Sequence, residues 1–127
     1  MTILITGGAG FIGSHLCEHL LAGGHHVVCL DNFDDFYDPK IKERNVADLL
    51  KNKNFALMCG DIRDALVLKN IFEKNTVSCV VHLAAKAGVR PSIQQPLEYL
   101  DVNVNGTAFL LEAMRQVGVR QRCRPHR

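Results

Sequence analysis

The chain has 127 residues, 47% apolar and 22% charged, the balance of one globular domain large enough to bury a core. No apolar run approaches the roughly 18 residues of a membrane helix, and Met1-Thr2 leads straight into an apolar run, so neither a membrane segment nor a signal peptide is expected. The net charge of +2 is a terminal feature: Arg120, Arg122, Arg124 and Arg127 fall in the last eight residues, and the remaining eleven basic residues face thirteen acids. That basic end has no aromatic interleaving, so nucleic acid is not an expected partner. Five scattered cysteines with no CxxC fit reduced thiols in a cytoplasmic protein.

Ile3-Leu4-Ile5 predicts a buried parallel strand. Thr6-Gly7-Gly8-Ala9-Gly10-Phe11-Ile12-Gly13 follows and opens an amphipathic stretch: strand, tight glycine turn, then helix over 11–22. One glycine allows the sharp turn, another lets the backbone approach a pyrophosphate, and a third lets helix and strand pack closely. Two registers fit, Gly8-x-Gly10-x-x-Gly13 and Gly7-x-x-Gly10-x-x-Gly13. The helix start offers free N–H groups to the anion. In this context the motif points to dinucleotide binding rather than a merely structural glycine turn. Phe11, Ile12, Leu16 and Leu20 fall near helical spacing and are expected to face the sheet.

Gly23-Gly24 stops the helix, and Val27-Val28-Cys29-Leu30 reads as a second buried strand. His25 and His26 would point to opposite faces and have no third ligand nearby, so no metal is expected. Asp31 closes the strand 18 residues after Gly13, where a dinucleotide fold places the carboxylate that binds the adenosine ribose. An acid there accepts two hydroxyls and repels a 2′-phosphate, favouring NAD over NADP. Asp38-Pro39 caps a polar helix over 39–52, with Ile41, Val46, Leu49 and Leu50 as its apolar edge. Residues 55–59 form a third strand, Asp64 caps a helix over 65–74, and 77–82 form a fourth buried strand ending in the small residues 83–88. Ligands of open α/β sheets bind at that carboxyl edge. Arg90-Pro91-Ser92 leads through Pro96 into a long helix to about Val117, stopped by Gly118. The fold expected is α/β: a Rossmann-type doubly wound parallel sheet of order 3-2-1-4, incomplete, with its later strands missing.

These segments resemble the extended short-chain dehydrogenase/reductase family, the NAD-dependent nucleotide-sugar epimerases and dehydratases. The resemblance rests on 6–13, Asp31-Asn32, Gly60-Asp61-Ile62-Arg63-Asp64, His82-Leu83-Ala84-Ala85 and Asn103-Val104-Asn105-Gly106-Thr107. Residues 31–39 and Ala87-Gly88-Val89-Arg90-Pro91-Ser92 look most like the UDP-glucuronate 4-epimerases, whereas 102–107 look like the generic epimerase pattern. By this resemblance Gly7, Gly10, Phe11, Ile12, Gly13, Asp31 and Asn32 bind NAD. Asp61 and Ile62 flank the adenine. Leu83, Ala84, Ala85 and Lys86 line the path to the nicotinamide. Arg90 and Asn103 are candidate substrate contacts. The implied substrate of a full-length relative is UDP-glucuronate or another UDP- or dTDP-sugar, and a homodimer is an arrangement open to that relative.

The family's chemistry needs a tyrosine base with a lysine four residues on. Tyr37 is followed at that offset by Ile41 and Tyr99 by Asn103, so no catalytic residue is assigned. The expected organisation is a partial NAD-binding domain over 1–119, a basic non-homologous tail over 120–127 that forms no central strand, and no substrate domain, as if truncated or frameshifted near Arg120. Three readings compete: the cofactor-binding portion of an epimerase, an inactive NAD(H)-binding module, and a non-functional truncation.

Overall fold

A computed structural model describes residues 1–36, 38–119 and 121–122; expectations for Tyr37, Arg120 and 123–127 lie outside the described residues. In chain order the elements are β1 (Thr2–Thr6), α1 (Phe11–Ala22), β2 (His26–Asp31), α2 (Pro39–Ala47), a 3-10 turn (Leu49–Lys51), β3 (Phe55–Cys59), α3 (Ala65–Lys74), β4 (Val77–His82), α4 (Val89–Gln94), α5 (Pro96–Leu100), a π-turn (Asp101–Asn105), α6 (Gly106–Val117) and β5 (Gln121–Arg122).

Alternation along the strands makes the three layers. Leu4 of β1 and Val28 and Leu30 of β2 point to one face, where they meet Leu68, Ile71 and Phe72 of α3 and Leu110 and Met114 of α6. Ile3, Ile5, Val27 and Cys29 point to the other, against Cys17 and Leu21 of α1 and Val46 of α2. All pairs are parallel, and the order is β3-β2-β1-β4-β5. The 3-2-1-4 core is the one the sequence predicts.

Four expectations need correction. First, β4 is not left at the edge without a further strand, because Gln121 and Arg122 pair with Cys79 and Val80. An open strand edge presents N–H and C=O groups to any extended backbone, so two residues pair without an apolar pattern.

Second, α1 is rotated from its periodicity. Phe11 and Ile12 are 76% and 71% exposed, and Gly13, Ser14, Cys17 and Leu21 face the sheet. A Cβ on Gly13 would lie 2.3 Å from the Gly7 oxygen, so only glycine fits there and it fixes the inward face.

Third, α2 stops at Ala47, with Val46 and Leu49 buried and Ile41 and Leu50 exposed. The Asn52 side chain accepts from Asn54 N at 2.9 Å and turns the chain out of the helix toward β3. Fourth, the segment after Arg90 is broken at Gln95, because the residue before Pro96 is pushed out of the α region (φ −132°, ψ 55°).

The glycine contact carries a stability prediction. Gly13→Ala is expected to cost about 3 kcal/mol, the upper end for overpacking. Gly24→Ala has a positive φ but open space around it and should cost about 1 kcal/mol. Urea unfolding of both variants checks this, and equal losses would contradict the assigned contact.

Candidate functional site

The carboxyl ends of β1, β2, β3 and β4 open on one cleft of about 440 Å³. Gly7 begins it. Its φ is +71°, and a Cβ there would lie 2.8 Å from Ala84 N, so the turn after β1 rests directly on the chain leaving β4. Gly10 caps α1, and the first intrahelical bond runs from Ser14 N to Gly10 O at 2.9 Å. The N–H groups of Phe11, Ile12 and Gly13 therefore have no intrahelical acceptor, the chemistry of a helix start to which an anion is drawn.

Two carboxylates lie further along the cleft. Asp31 is 4% exposed; its Oδ2 accepts from Ala9 N at 3.1 Å and its Oδ1 from Phe33 N at 2.8 Å and Lys42 Nζ at 2.9 Å. Asp61 is gripped by Arg63 through both oxygens, which holds its pKa down to about 2. Lys86 reaches Glu98 at 3.2 Å and Asp34 at 4.0 Å, and its ammonium lies 5.4 Å from the centre of the Tyr99 ring. Desolvation lowers the Lys86 pKa, and these acids more than reverse it.

Of the predicted residues, Gly7, Gly10, Phe11, Asp31, Asn32, Asp61, Ile62, Leu83, Ala84, Ala85 and Lys86 line the cleft. Gly13 lies behind the turn, and Ile12 turns its side chain to solvent, so its contribution is its N–H alone. Asn103 stands one layer back. Its Oδ1 accepts from Lys86 N at 2.8 Å and its Nδ2 donates to Lys86 O at 3.1 Å, so it shapes the backbone of Lys86. Arg90 is exposed on α4, outside the cleft lining. Tyr99 is 9% exposed and its hydroxyl donates to Ala87 O at 2.7 Å, a structural role.

Sequence reasoning missed Lys42, Asn45 and Phe36. Lys42 and Asn45 are three apart on α2 and share one face, on which Asn45 Nδ2 donates to Ala9 O at 2.9 Å. That spacing was the available signal, but only the folded path of 32–38 shows that this face meets the glycine turn. Phe36 covers the cleft by packing on Gly88, where a Cβ would lie 2.9 Å from its ring. Among the described residues no group of three or more His, Cys, Asp or Glu could hold a metal ion, and no helix is long and apolar enough to cross a membrane.

A glycine turn feeding a helix start, with an acid at the end of the neighbouring strand, defines a dinucleotide-type site at the carboxyl edge of a parallel sheet. The chain belongs to the NAD-dependent epimerase/dehydratase family: residues 4–127 match the family described as GDP-mannose 4,6 dehydratase. It is 45% identical over 118 residues to a UDP-glucuronate 4-epimerase of Thermodesulfobacterium geofontis, covering 93% of this chain and 36% of that protein. Two solved structures superpose closely. The UDP-glucuronic acid 4-epimerase of Bacillus cereus, in complex with UDP-glucuronic acid and NAD, has a TM-score of 0.84 at 36% identity, covering 97% of this chain and 38% of that one. The UDP-glucose 4-epimerase of Thermus thermophilus, in complex with NAD, has a TM-score of 0.81 at 38% identity, covering 96% and 36%. The chain thus spans a little over a third of the length of these relatives.

Under the cleft, the hydroxyl of Thr6 accepts from Leu83 N at 3.1 Å and Ala84 N at 3.2 Å, so its own proton goes to His82 Nδ1 at 2.6 Å. Thr107 donates to Asn103 O, leaving its oxygen to accept from His82 Nε2–H at 3.0 Å. Both ring nitrogens are thereby committed to the neutral imidazole. Burial lowers the His82 pKa, in agreement. The unfolded chain then binds the proton at higher pH than the folded one, so this stability is complete above about pH 6.5 and falls as pH drops toward the folded pKa. The slope is at most about 1.4 kcal/mol per pH unit. The melting midpoint, followed from pH 7.5 to 5, is expected to fall more steeply for the parent than for His82→Gln; parallel curves would remove His82 as the source.

Proposed function

We propose that residues 1–119 are the NAD-binding portion of a nucleotide-sugar 4-epimerase, with UDP-glucuronate as the substrate of the full-length relative. The observation that carries this is the pairing of a glycine-capped helix start with two ionisable acceptors, Asp31 and Asp61, along one cleft. The N–H groups of Phe11 and Ile12 would hold the pyrophosphate. Asp31 would take the adenosine ribose, with Asp61 and Ile62 at the adenine. Leu83, Ala84, Ala85 and Lys86 would border the nicotinamide end. When bound, NAD supplies a hydride acceptor at the sugar C4 and returns the hydride.

Lys42 modifies the expected basis of cofactor choice. Its ion pair with Asp31 neutralises much of the charge that would repel a 2′-phosphate. What remains is donor–acceptor matching: Asp31 has acceptor capacity to offer hydroxyls, whereas a phosphate brings only further acceptors. NAD is still favoured, by a smaller margin than an isolated acid would give. For the sugar, the reading rests on 87–92 and on the exposed cation of Arg90, a fit for a sugar carboxylate. Gln121 and Arg122 belong to the edge of this unit, where they pair with β4.

A second reading is favoured by one specific observation: no tyrosine in the 127 residues is followed four positions on by lysine. The chain alone then binds without turning over. General acid–base catalysis contributes a factor of about 10²–10⁴, and the tyrosine–lysine pair that would supply it is not among these residues. Purified chain with NAD and UDP-glucuronate is expected to form no UDP-galacturonate above a heat-killed control; turnover proportional to protein would refute this.

The binding itself is tested by isothermal titration with NAD and NADP. NAD should bind more tightly. Gly10→Val should abolish binding of both and lower the melting midpoint without unfolding the chain, because Gly10 has ordinary extended dihedrals and a Cβ there makes one close contact, with the Gly7 oxygen at 3.3 Å. Undiminished binding by a folded Gly10→Val protein would sink the pyrophosphate assignment.

A further inference from the structure

Arg63 is the most heavily engaged side chain at the Asp61 end of the cleft. Its Nε donates to Asp61 Oδ1 at 3.0 Å and its Nη2 to Asp61 Oδ2 at 2.8 Å, while its Nη1 donates to Asp101 Oδ2 at 3.0 Å. The backbone N–H of Arg63 adds a further bond to Asp61 Oδ1 at 2.8 Å. A planar guanidinium held by two carboxylates is fixed in orientation, and it fixes the carboxylate it grips. The anchor is itself held: Asn105 Nδ2 donates to Asp101 Oδ1 at 3.0 Å across the π-turn.

The two Asp61 oxygens are not equivalent. Oδ1 has two good donors. Oδ2 has Arg63 and one long contact, from Asn32 Nδ2 at 3.4 Å. That contact is at the outer limit of a hydrogen bond, so this is the position a ligand N–H can take over. An ionised carboxylate only accepts, so the ligand group must be a donor. Beside it Ile62 is 4% exposed and pressed against Gly106, where a Cβ would lie 2.6 Å from Ile62 Cδ1; this is a fixed apolar wall for the face of a ring.

We propose that Arg63 and Asp101 are positioning residues that aim Asp61 Oδ2 at the 6-amino group of a purine, and so set the base preference of the cleft. The proposal rests on the dinucleotide reading above. Neither side chain needs to touch the ligand. Asp101 stops Arg63 from turning, Arg63 stops Asp61 from turning, and the acceptor stays where an amino group can meet it.

The experiment is isothermal titration of the full 127-residue chain, Arg63→Lys and Asp101→Asn with two ligands. One is NAD; the other is nicotinamide purine dinucleotide, in which hydrogen replaces the 6-amino group. The parent should prefer NAD by about tenfold, the worth of a hydrogen bond to a charged group. Arg63→Lys keeps the charge and loses the fork; NAD affinity should fall about tenfold while affinity for the analogue stays within about threefold. Asp101→Asn keeps an acceptor for Arg63 and should fall between the two. It alters a half-exposed carboxylate and decides alone if Arg63→Lys does not fold. Equal losses for both ligands would mean that the pair only supports the fold, and would overturn the proposal. A parent that binds both ligands equally overturns it while leaving the dinucleotide reading standing. A parent that binds neither removes that reading and this one with it.

Discussion

The contact of Gly13 with the turn at Gly7 is the constraint on which the other features depend. A Cβ on Gly13 would lie 2.3 Å from Gly7 O and 2.7 Å from Gly8 Cα, so α1 starts in direct contact with the backbone of the turn. The turn in turn lies against Ala84, at the end of β4. Three segments meet with no side chain between them. Burying Phe11 or Ile12 would be worth about 1.5–3 kcal/mol each. Gaining it would require rolling α1 off this contact, which would unpack Cys17 and Leu21 from the sheet and turn the free N–H groups away from the cleft. Close packing outweighs periodicity here, and the apolar pair is left outside.

The charges of the cleft follow a common pattern: each ionised group named here is held by an opposite charge, two of them from another element and Asp61 from its own loop. Asp31 at the end of β2 takes Lys42 from α2, and Lys86 after β4 takes Glu98 from α5. Asp61 takes Arg63, which is secured in turn by Asp101. Asp31 needs this most. Burying a carboxylate costs several kcal/mol unless its lone pairs are used; three donors engage Asp31 and leave part of its acceptor capacity to the cleft. The same arrangement ties α2 to the glycine turn, since Asn45, one turn beyond Lys42, donates to Ala9 O.

Features set by local chemistry were legible in the sequence. Asp64 caps α3 with bonds to Leu66 N and Val67 N, Asp38 and Pro39 start α2, and Gly118 ends α6 in the left-handed conformation. The strand runs and the 3-2-1-4 core were legible for the same reason, since short apolar runs joined by helical crossovers leave few topologies. Most of the cleft lining followed from motifs at strand ends. The rest depends on contacts between distant segments. The rotation of α1 is set by a backbone clash, Lys42 is brought to Asp31 by the path of 32–38, and β5 pairs through backbone groups that no side-chain pattern announces.

The π-turn is the least legible element, and it connects the two ends of the cleft. Residues two apart on a helix face opposite ways, so Asp101 reaches Arg63 at one end while Asn103 reaches Lys86 at the other. Between them Val102, 7% exposed, lines the cleft. Thr107, four residues after Asn103 and on the same side, secures His82 beneath the turn. Extra-wide turns of this kind recur at functional sites. Here the reason is geometric: one helix has to present a carboxylate, an apolar side chain and an amide to three separated targets. A shift of this segment would therefore disturb Arg63, Lys86 and His82 together, and the packing of Gly106 on Ile62 opposes such a shift with a contact that no side chain larger than glycine permits.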